Sequence, residues 1–325
     1  MESTHRFKKL FESMSENPFV SVLMPAFNAE KFIAEAVRSI LDQDHKNWEL
    51  LIVDDASTDS TLAIINSFKD DRIKVCSHGE NLGYLLSCNE LFDMAKGDFI
   101  TFLDADDTCA SNRISTCLKA FERDPDLDFL TTNHLRMNED GTIISEHRTS
   151  IDHERYAADP TYYPTICCAT IFLRKKLLQQ VGGYHPFFKD LGGEDYHWLF
   201  RLSRAGKGRH VDHVLYSYRS HSNQTHLQNR NVLKYFHADI DREIRMRLIQ
   251  DGTDLLDDAN ALLGRWTKKI NADRPEILFR KASEMLNRGQ KVKAFILVFR
   301  GLVTGLTKIR SWKGSAYLSY SILIR

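Results

Sequence analysis

Residues 102–107 read Phe-Leu-Asp-Ala-Asp-Asp, so three carboxylates (Asp104, Asp106, Asp107) stand where an apolar run through Ile100, Phe102 and Leu103 stops. Like charges gathered at a strand end repel one another. A divalent cation relieves that repulsion, and hard cations take oxygen ligands. The Asp-X-Asp spacing lets one carboxylate face a metal while the other takes a neighbouring polar group. The plainer account is a turn in which Asp107 or Ser111 caps the next helix. Open α/β sheets bind ligands at the carboxyl ends of their strands, so the question is whether other acids reach the same edge. Asp54-Asp55 follow the run Leu50-Leu-Ile-Val53, and Glu194-Asp195 follow Gly192-Gly193. Three such clusters in one α/β domain fit a metal and nucleotide site. There Asp55 suits a base N–H, Asp104 a ribose hydroxyl and Asp106 a metal bridging two phosphates. Asp54 reads first as a turn residue.

Gly192 and Gly193 allow close backbone approach or positive φ, and the carboxylates of Glu194 and Asp195 follow at once, ahead of Tyr196-His-Trp198. A carboxylate beside an aromatic wall is partly desolvated and can be tuned as a general base. An acidic helix N-terminus explains the same residues without chemistry. Tyr218-Arg219-Ser-His221 closes the last candidate strand, where Arg219 and His221 could supply positive charge or metal ligation to a departing diphosphate. An exposed Arg and His with no role is the alternative. His210, His213 and His226 lack matching acidic spacing and read as structural or solvated.

The elements that must position these residues follow from periodicity. Residues 19–24 form a short apolar run closed by Pro25, a strand ending at a turn. Residues 30–41 carry a helical stripe at Phe32, Ile33, Ala36, Val37, Ile40 and Leu41. Residues 50–53 make a second strand, and residues 57–61 open a helix bearing Leu62, Ile64, Ile65 and Phe68. A strand over 73–76, a helix over 83–95 and a strand over 99–103 continue the alternation, which marks a doubly wound parallel sheet. Beyond Leu127 the pattern is mixed, with strands at 129–130, 143–144, 168–173 and 210–218 and helices at 175–181 and 199–205. After about residue 226 it is helical. No internal repeat or low-complexity segment interrupts the chain.

The 325 residues hold 44 Lys+Arg and 44 Asp+Glu, but the balance hides a segregation. Residues 265–325 carry 14 basic against 3 acidic residues, a net +11, which leaves −11 on residues 1–264. Such asymmetry points to an anionic partner for the tail. Residues 291–310 place a short apolar body, broken by Arg300, between basic flanks, with Trp312, Tyr317 and Tyr320 beyond. That pattern fits a helix lying on an anionic membrane surface. Packing against the catalytic domain or a second subunit is the alternative. Nucleic acid is the weakest reading, because no binding motif accompanies the charge. No stretch approaches the roughly 20 apolar residues of a spanning helix. Residues 1–17 are polar, with no signal-peptide pattern. The six cysteines (Cys76, Cys88, Cys109, Cys117, Cys167, Cys168) show no paired framework, as expected of a reducing compartment.

Taken in order, Val20-Ser-Val-Leu-Met-Pro-Ala-Phe-Asn28, Val53-Asp-Asp-Ala-Ser-Thr-Asp59, Asn81-Leu-Gly83, the run 97–107 and Gly193-Glu-Asp195 resemble the motifs of family 2 inverting glycosyltransferases. The resemblance spans about residues 18–225 and implies the nucleotide-diphospho-sugar transferase (glycosyltransferase A) fold. It implies that Pro25, Phe27, Asn28 and Asp55 frame the nucleobase, usually uracil, and that Asp104 lies near the ribose. Asp106 would bind Mn²⁺ or Mg²⁺ at the diphosphate, and Arg219 and His221 would contact diphosphate or metal. Asp195 would deprotonate the acceptor hydroxyl, with Glu194 helping to place it. The chain departs from the family where Cys88 precedes Asn89, at a position many members fill with Arg.

The expectation is an α/β protein, a Rossmann-like doubly wound mixed sheet with a helical C-terminal extension. Residues 1–17 form a polar extension, 18–225 a catalytic domain and 226–325 a helical, basic region. The expected activity is a metal-dependent, inverting, hexosyltransferase-type reaction. A nucleoside-diphosphate sugar, UDP first, would donate to a carbohydrate or lipid-linked acceptor in cell-surface polysaccharide or glycolipid synthesis. The expected location is cytoplasmic, peripheral at the inner face of the membrane; oligomeric state is left open. Two rivals weigh against it. A sugar-nucleotide pyrophosphorylase needs a Gly-rich basic loop where Pro25-Ala-Phe-Asn28 stands. A Mg-binding phosphoacceptor module leaves residues 192–195 unexplained.

Overall fold

The structure is a computed structural model that describes residues 17–189, 191–222, 224, 236–252, 256–272, 280–283, 285 and 294. The chain divides into two compact units, residues 1–189 with 193–228, and residues 190–192 with 229–325. The first unit is built on a nine-stranded mixed sheet.

Its first half is the alternation the periodicity requires. β1 (Val20–Ala26) lies parallel between β2 (Trp48–Asp54) and β4 (Phe99–Phe102), and β3 (Ile73–Ser77) adds parallel to β2. Every residue of β1, β2 and β4 is buried, as expected of parallel strands covered on both faces, whereas β3 at the edge is half exposed. Helix α1 (Ile33–Leu41) buries Ile33, Ala36, Val37 and Ile40 at helical spacing; α2 (Thr61–Ser67) and α3 (Tyr84–Met94) complete the crossovers. β1 runs on through Pro25, which pairs with Val53. The turn expected at Pro25 falls after Ala26 instead. A proline in a buried strand lacks a donor, and β1 tolerates it near its end.

β5 (Thr108–Cys109) and α4 (Arg113–Arg123) follow β4. The second half is mixed because β8 (Phe172–Arg174) runs antiparallel between β4 and β6 (Phe129–Met137). β6 then pairs parallel with β9 (Gly208–Arg219) and forms a hairpin with β7 (Ile143–His147), and β5 lies antiparallel to β9. Helices α5 (His153–Ala158), α6 (Lys175–Val181) and α7 (Glu194–Ala205) complete the unit. Short periodic runs under-read this half. β6 extends well beyond 129–130, residues Cys168–Thr170 are a 3₁₀ turn rather than strand, and α5 carried no clear stripe. α7 begins at Glu194, so both acids sit in its first turn. Phe92, Phe102, Tyr184 and Trp198 pack ring to ring at 5.1–6.4 Å and join α3, β4 and α7 under the site. The described cysteines are all free thiols.

In the second unit, α8 (His237–Gln250) and α9 (Ala259–Ala272) are helical, as the pattern predicts. Trp266 Nε1 donates to Glu243 at 2.9 Å and its ring meets Phe236, and the buried Arg245–Asp241 pair closes at 2.9 Å. Among the described residues no helix is long and apolar enough to cross a membrane. The basic stretch 291–310 and the polar residues 1–16 lie outside the described residues, apart from Ala294.

Candidate active site

The loops after β1 and β2 are stapled together. Asn28, at φ +48°, donates its backbone N–H to Ser57 Oγ (2.9 Å), and its side-chain Oδ1 accepts from Thr58 N–H (2.8 Å). Asn28 therefore shapes the loop, and Phe27 beside it projects, 46% exposed. Asp54 is not the turn residue expected: it stays within β2, buried and accepting from Ser77 Oγ at 3.2 Å, so it holds strand to strand. Asp55 lies beyond the strand and is nearly filled. Its Oδ1 accepts from Leu82 N–H (2.8 Å) and lies 2.7 Å from His78 Nδ1, and its Oδ2 accepts from Gly83 N–H (2.8 Å). A carboxylate offers about four acceptor positions, so one remains, on Oδ2.

Past β4 the three aspartates separate by role. Asp107 is fully buried, taking Arg219 N–H on Oδ1 and Tyr216 O–H on Oδ2, each at 2.7 Å. It staples the loop. Asp104 accepts from Tyr84 O–H at 3.2 Å, and Tyr216 Oη accepts its backbone N–H at the same distance. Burial first, then the charges of Asp106 and Asp195, push the Asp104 carboxyl up to about 7. Asp106 is more open, its Oδ2 2.8 Å from His221 Nε2, and the His221 ring lies 4.8 Å from that of Phe32.

Arg219 is buried under this loop. Its Nε donates to the Asp106 carbonyl (2.7 Å), Nη1 to the Glu139 carbonyl (2.9 Å) and Nη2 to Glu35 (2.6 Å), with the guanidinium 5.0 Å from the Phe32 ring. The sequence expectation sets Arg219 against the diphosphate or metal. The structure has its side chain buried and committed to holding the Asp106 loop from behind.

The opposite wall is the first turn of α7. Gly193 caps it at φ +89°, a conformation glycine adopts without a Cβ penalty. This turns Glu194 and Asp195 toward the β4 loop, close enough for Asp195 to raise Asp104. Asp195 Oδ1 accepts its neighbour Tyr196 N–H at 2.8 Å. Burial, then the Asp195 charge, push Glu194 up to about 8. Cys88, in the place of the usual Arg, is buried among Tyr84, Asp104 and the α7 acids, and burial drives its thiol well up. Asn89 turns away and clasps the Tyr184 backbone through both amide atoms, at 2.8 and 2.9 Å. His78 and Glu90 were missed in the sequence. Only the contact of Asp55 with a residue of β3's far loop reveals them.

The chain thus gathers Asp104, Asp106, His221, Glu194 and Asp195 at one edge, with Asp55 on the adjoining loop. Among the described residues no three His, Cys, Asp or Glu side chains form a ready-made cation cage. The donor set still fits Mn²⁺ or Mg²⁺. One or two carboxylates completed by substrate phosphates is the usual arrangement for such ions, and Asp106 is partly exposed with the Asp104 carboxyl beside it, raised first by burial and then by the Asp106 charge.

Residues 21–182 match the profile of the family described as Glycosyl transferase family 2. EpsE of Bacillus subtilis, which carries a provisional glycosyltransferase name, is 31% identical over 213 residues, 64% of this chain and 76% of that protein. The chain belongs to glycosyltransferase family 2. A second relative is the Escherichia coli UDP-Glc:α-D-GlcNAc-diphosphoundecaprenol β-1,3-glucosyltransferase WfaP, 32% identical over 62% of this chain and 78% of WfaP. Among solved structures, Staphylococcus aureus TarS in complex with UDP superposes with TM-score 0.55 at 18% identity, over 81% of this chain and 79% of that one. The mannosyltransferase PcManGT of Pyrobaculum calidifontis, with GDP-Man and Mn²⁺, does so at TM-score 0.54 and 18% identity, over 99% and 92%. The fold is therefore glycosyltransferase A, and the chain is an enzyme of hexosyltransferase type. Family membership sets aside the pyrophosphorylase and the phosphoacceptor module.

Proposed function

We propose that residues 18–225 form the catalytic domain of an inverting transferase that moves a sugar from a UDP-sugar to an acceptor hydroxyl in polysaccharide or lipid-linked glycan assembly. The observation that carries the donor reading is the single acceptor position left on Asp55. Uracil offers one N–H between two carbonyls, whereas guanine offers two adjacent N–H groups that need two carboxylate positions. Pro25 and the exposed Phe27 give the base an apolar edge. TarS with UDP and WfaP with its UDP-glucose donor support the same choice.

Asp104 takes the ribose side. Asp106, with His221 beside it, is the residue to hold Mn²⁺ or Mg²⁺, the ion class bound in PcManGT. When bound, such an ion neutralises charge on the departing diphosphate. Arg219 serves that end by fixing the Asp106 loop. Asp195 accepts the acceptor hydroxyl proton as the oxygen attacks the anomeric carbon, and the carbon–oxygen bond to the diphosphate breaks on the opposite face. Glu194, whose carboxyl is pushed up to about 8 by burial and then by the Asp195 charge, can donate a hydrogen bond that orients the acceptor. The undecaprenol-linked acceptor of WfaP and the +11 tail both favour a lipid-linked acceptor met at a membrane surface by a peripheral enzyme, on its cytoplasmic side.

Transfer of labelled sugar from a panel of UDP- and GDP-sugars, with and without Mn²⁺, tests this reading. Asp195→Asn should keep UDP affinity while transfer falls by roughly 10²–10⁴-fold, the worth of a positioned base. Asp106→Asn should abolish the Mn²⁺ dependence of UDP binding. Preference for GDP-sugars would sink the donor assignment, and transfer surviving Asp195→Asn but not Glu194→Gln would move the base by one residue.

A further inference from the structure

His78 lies between two carboxylates, each 2.7 Å from a ring nitrogen: Nδ1 against Asp55 Oδ1 and Nε2 against Glu90 Oε2. Its side chain is 8% exposed. A neutral imidazole has one N–H and one lone pair. It can therefore satisfy only one of these contacts and must set a lone pair against an anionic oxygen at the other. The imidazolium donates to both. Glu90 is itself fixed from the far side by Cys76 Sγ at 3.1 Å, and the His78 backbone N–H is held by the Asp54 carbonyl at 2.9 Å. Asp55, Glu90, Cys76 and Asp54 are thus the titratable groups that surround the ring from β2, β3 and α3.

We propose that His78 is a positioning residue for the nucleotide, an imidazolium latch that fixes the Asp55 carboxylate through its bridge to Glu90. The proposal rests on the uracil role given to Asp55 above. Loss of the proton breaks one of the two contacts. If the Asp55 contact goes, the carboxylate is left on the backbone donors Leu82 and Gly83 alone, and its last acceptor position is held less firmly. Deprotonation also leaves Asp55 and Glu90 without a cation between them near an anionic ligand. Both effects weaken UDP binding as pH rises. The protonation balance agrees with the geometry: burial alone lowers the ring, but the Asp55 and Glu90 hydrogen bonds outweigh it and the net shift is upward. Glu90 is lowered in turn, chiefly by His78.

The test is run on the full chain. NMR of the ¹³C-labelled histidine rings, assigned with His78→Gln, should show His78 charged to above the ordinary value of about 6.5. Calorimetry with UDP and saturating Mg²⁺ between pH 5.5 and 8.5 is compared between wild type and His78→Gln, which share the metal site and Asp104. Wild-type affinity should fall relative to the variant roughly tenfold or more through that same transition, the worth of a hydrogen bond to a charged group. His78→Gln, a neutral residue that can donate to only one carboxylate at a time, should bind UDP more weakly than wild type at pH 5.5 and approach it at pH 8.5. Titration of His78 at or below 6.5, or parallel UDP profiles for the two chains in a protein that does bind UDP, would overturn the latch alone. Failure of UDP to bind at any pH would remove the uracil role of Asp55 and the latch with it.

Discussion

Two carboxylates of the site hold their protons near neutral pH. Asp104 rises from 3.8 to about 7 and Glu194 from 4.5 to about 8, burial leading in both. Each acid binds its proton more tightly folded than unfolded, so the ligand-free protein loses stability as pH climbs from the ordinary values through the raised ones. His78 acts in the same direction, since a raised histidine contributes below its folded value and not above. Melting temperature without metal should therefore be highest near pH 5 and fall toward pH 8. Glu194→Gln should recover part of that loss. Discounted for partial exposure, about 1 kcal/mol is at stake, or roughly 2–4 °C for a unit the size of residues 18–225. A thermal scan in which wild type and variant show the same pH slope would refute the crowding of charge. Added Mn²⁺ should stabilise more at pH 8 than at pH 5, because it competes with protons for the same oxygens.

At the scale of elements, the packing of the strand edges is strict in places that look ordinary in sequence. A Cβ on Gly97 would lie 2.5 Å from Ser21 N and 2.8 Å from the Phe19 and Phe99 carbonyl oxygens, all backbone atoms. Gly97→Ala must push β1 and β4 apart and should cost about 3 kcal/mol, the upper end for overpacking. Gly79→Ala meets nothing within 4 Å and should be close to neutral. Chemical denaturation of the pair checks this, and equal stability would mean that the strand ends give way freely. The same contrast explains what the chain disclosed. β1, β2 and β4 are buried on both faces, so they read as continuous apolar runs, and the acids after them mark the strand ends. The Glu194–Asp195 turn is announced by its two glycines. β6 and β9 shift register against each other without a regular in–out alternation, and α5 is only six residues long, so local periodicity carries little of them. Arg219 and His78 were harder still. Their roles depend on Glu35, Glu139 and Glu90, partners that no spacing rule connects.

For the whole molecule, charge is divided along the chain, with +11 on residues 265–325 and −11 before them. If that tail meets an anionic surface, the full chain should sediment with phosphatidylglycerol vesicles at low salt. Replacing Lys291, Lys293, Lys308 and Lys313 by Gln should release it, since each basic residue near such a surface is worth about 1 kcal/mol. Binding should also fade as salt rises. Indifference to vesicles at every salt concentration would assign the tail to packing and leave the transferase reading intact.

The order of strands in the sheet has a temporal consequence. β1 to β4 pair among themselves, whereas β6 must wait for β9 before Phe129 can meet Gly208. Synthesis proceeds from the amino end, and Glu194 leaves the ribosome long after Asp104. The acids of the two walls therefore cannot meet until α7 has been made. Their mutual repulsion is absent while β1 to β4 are being synthesised.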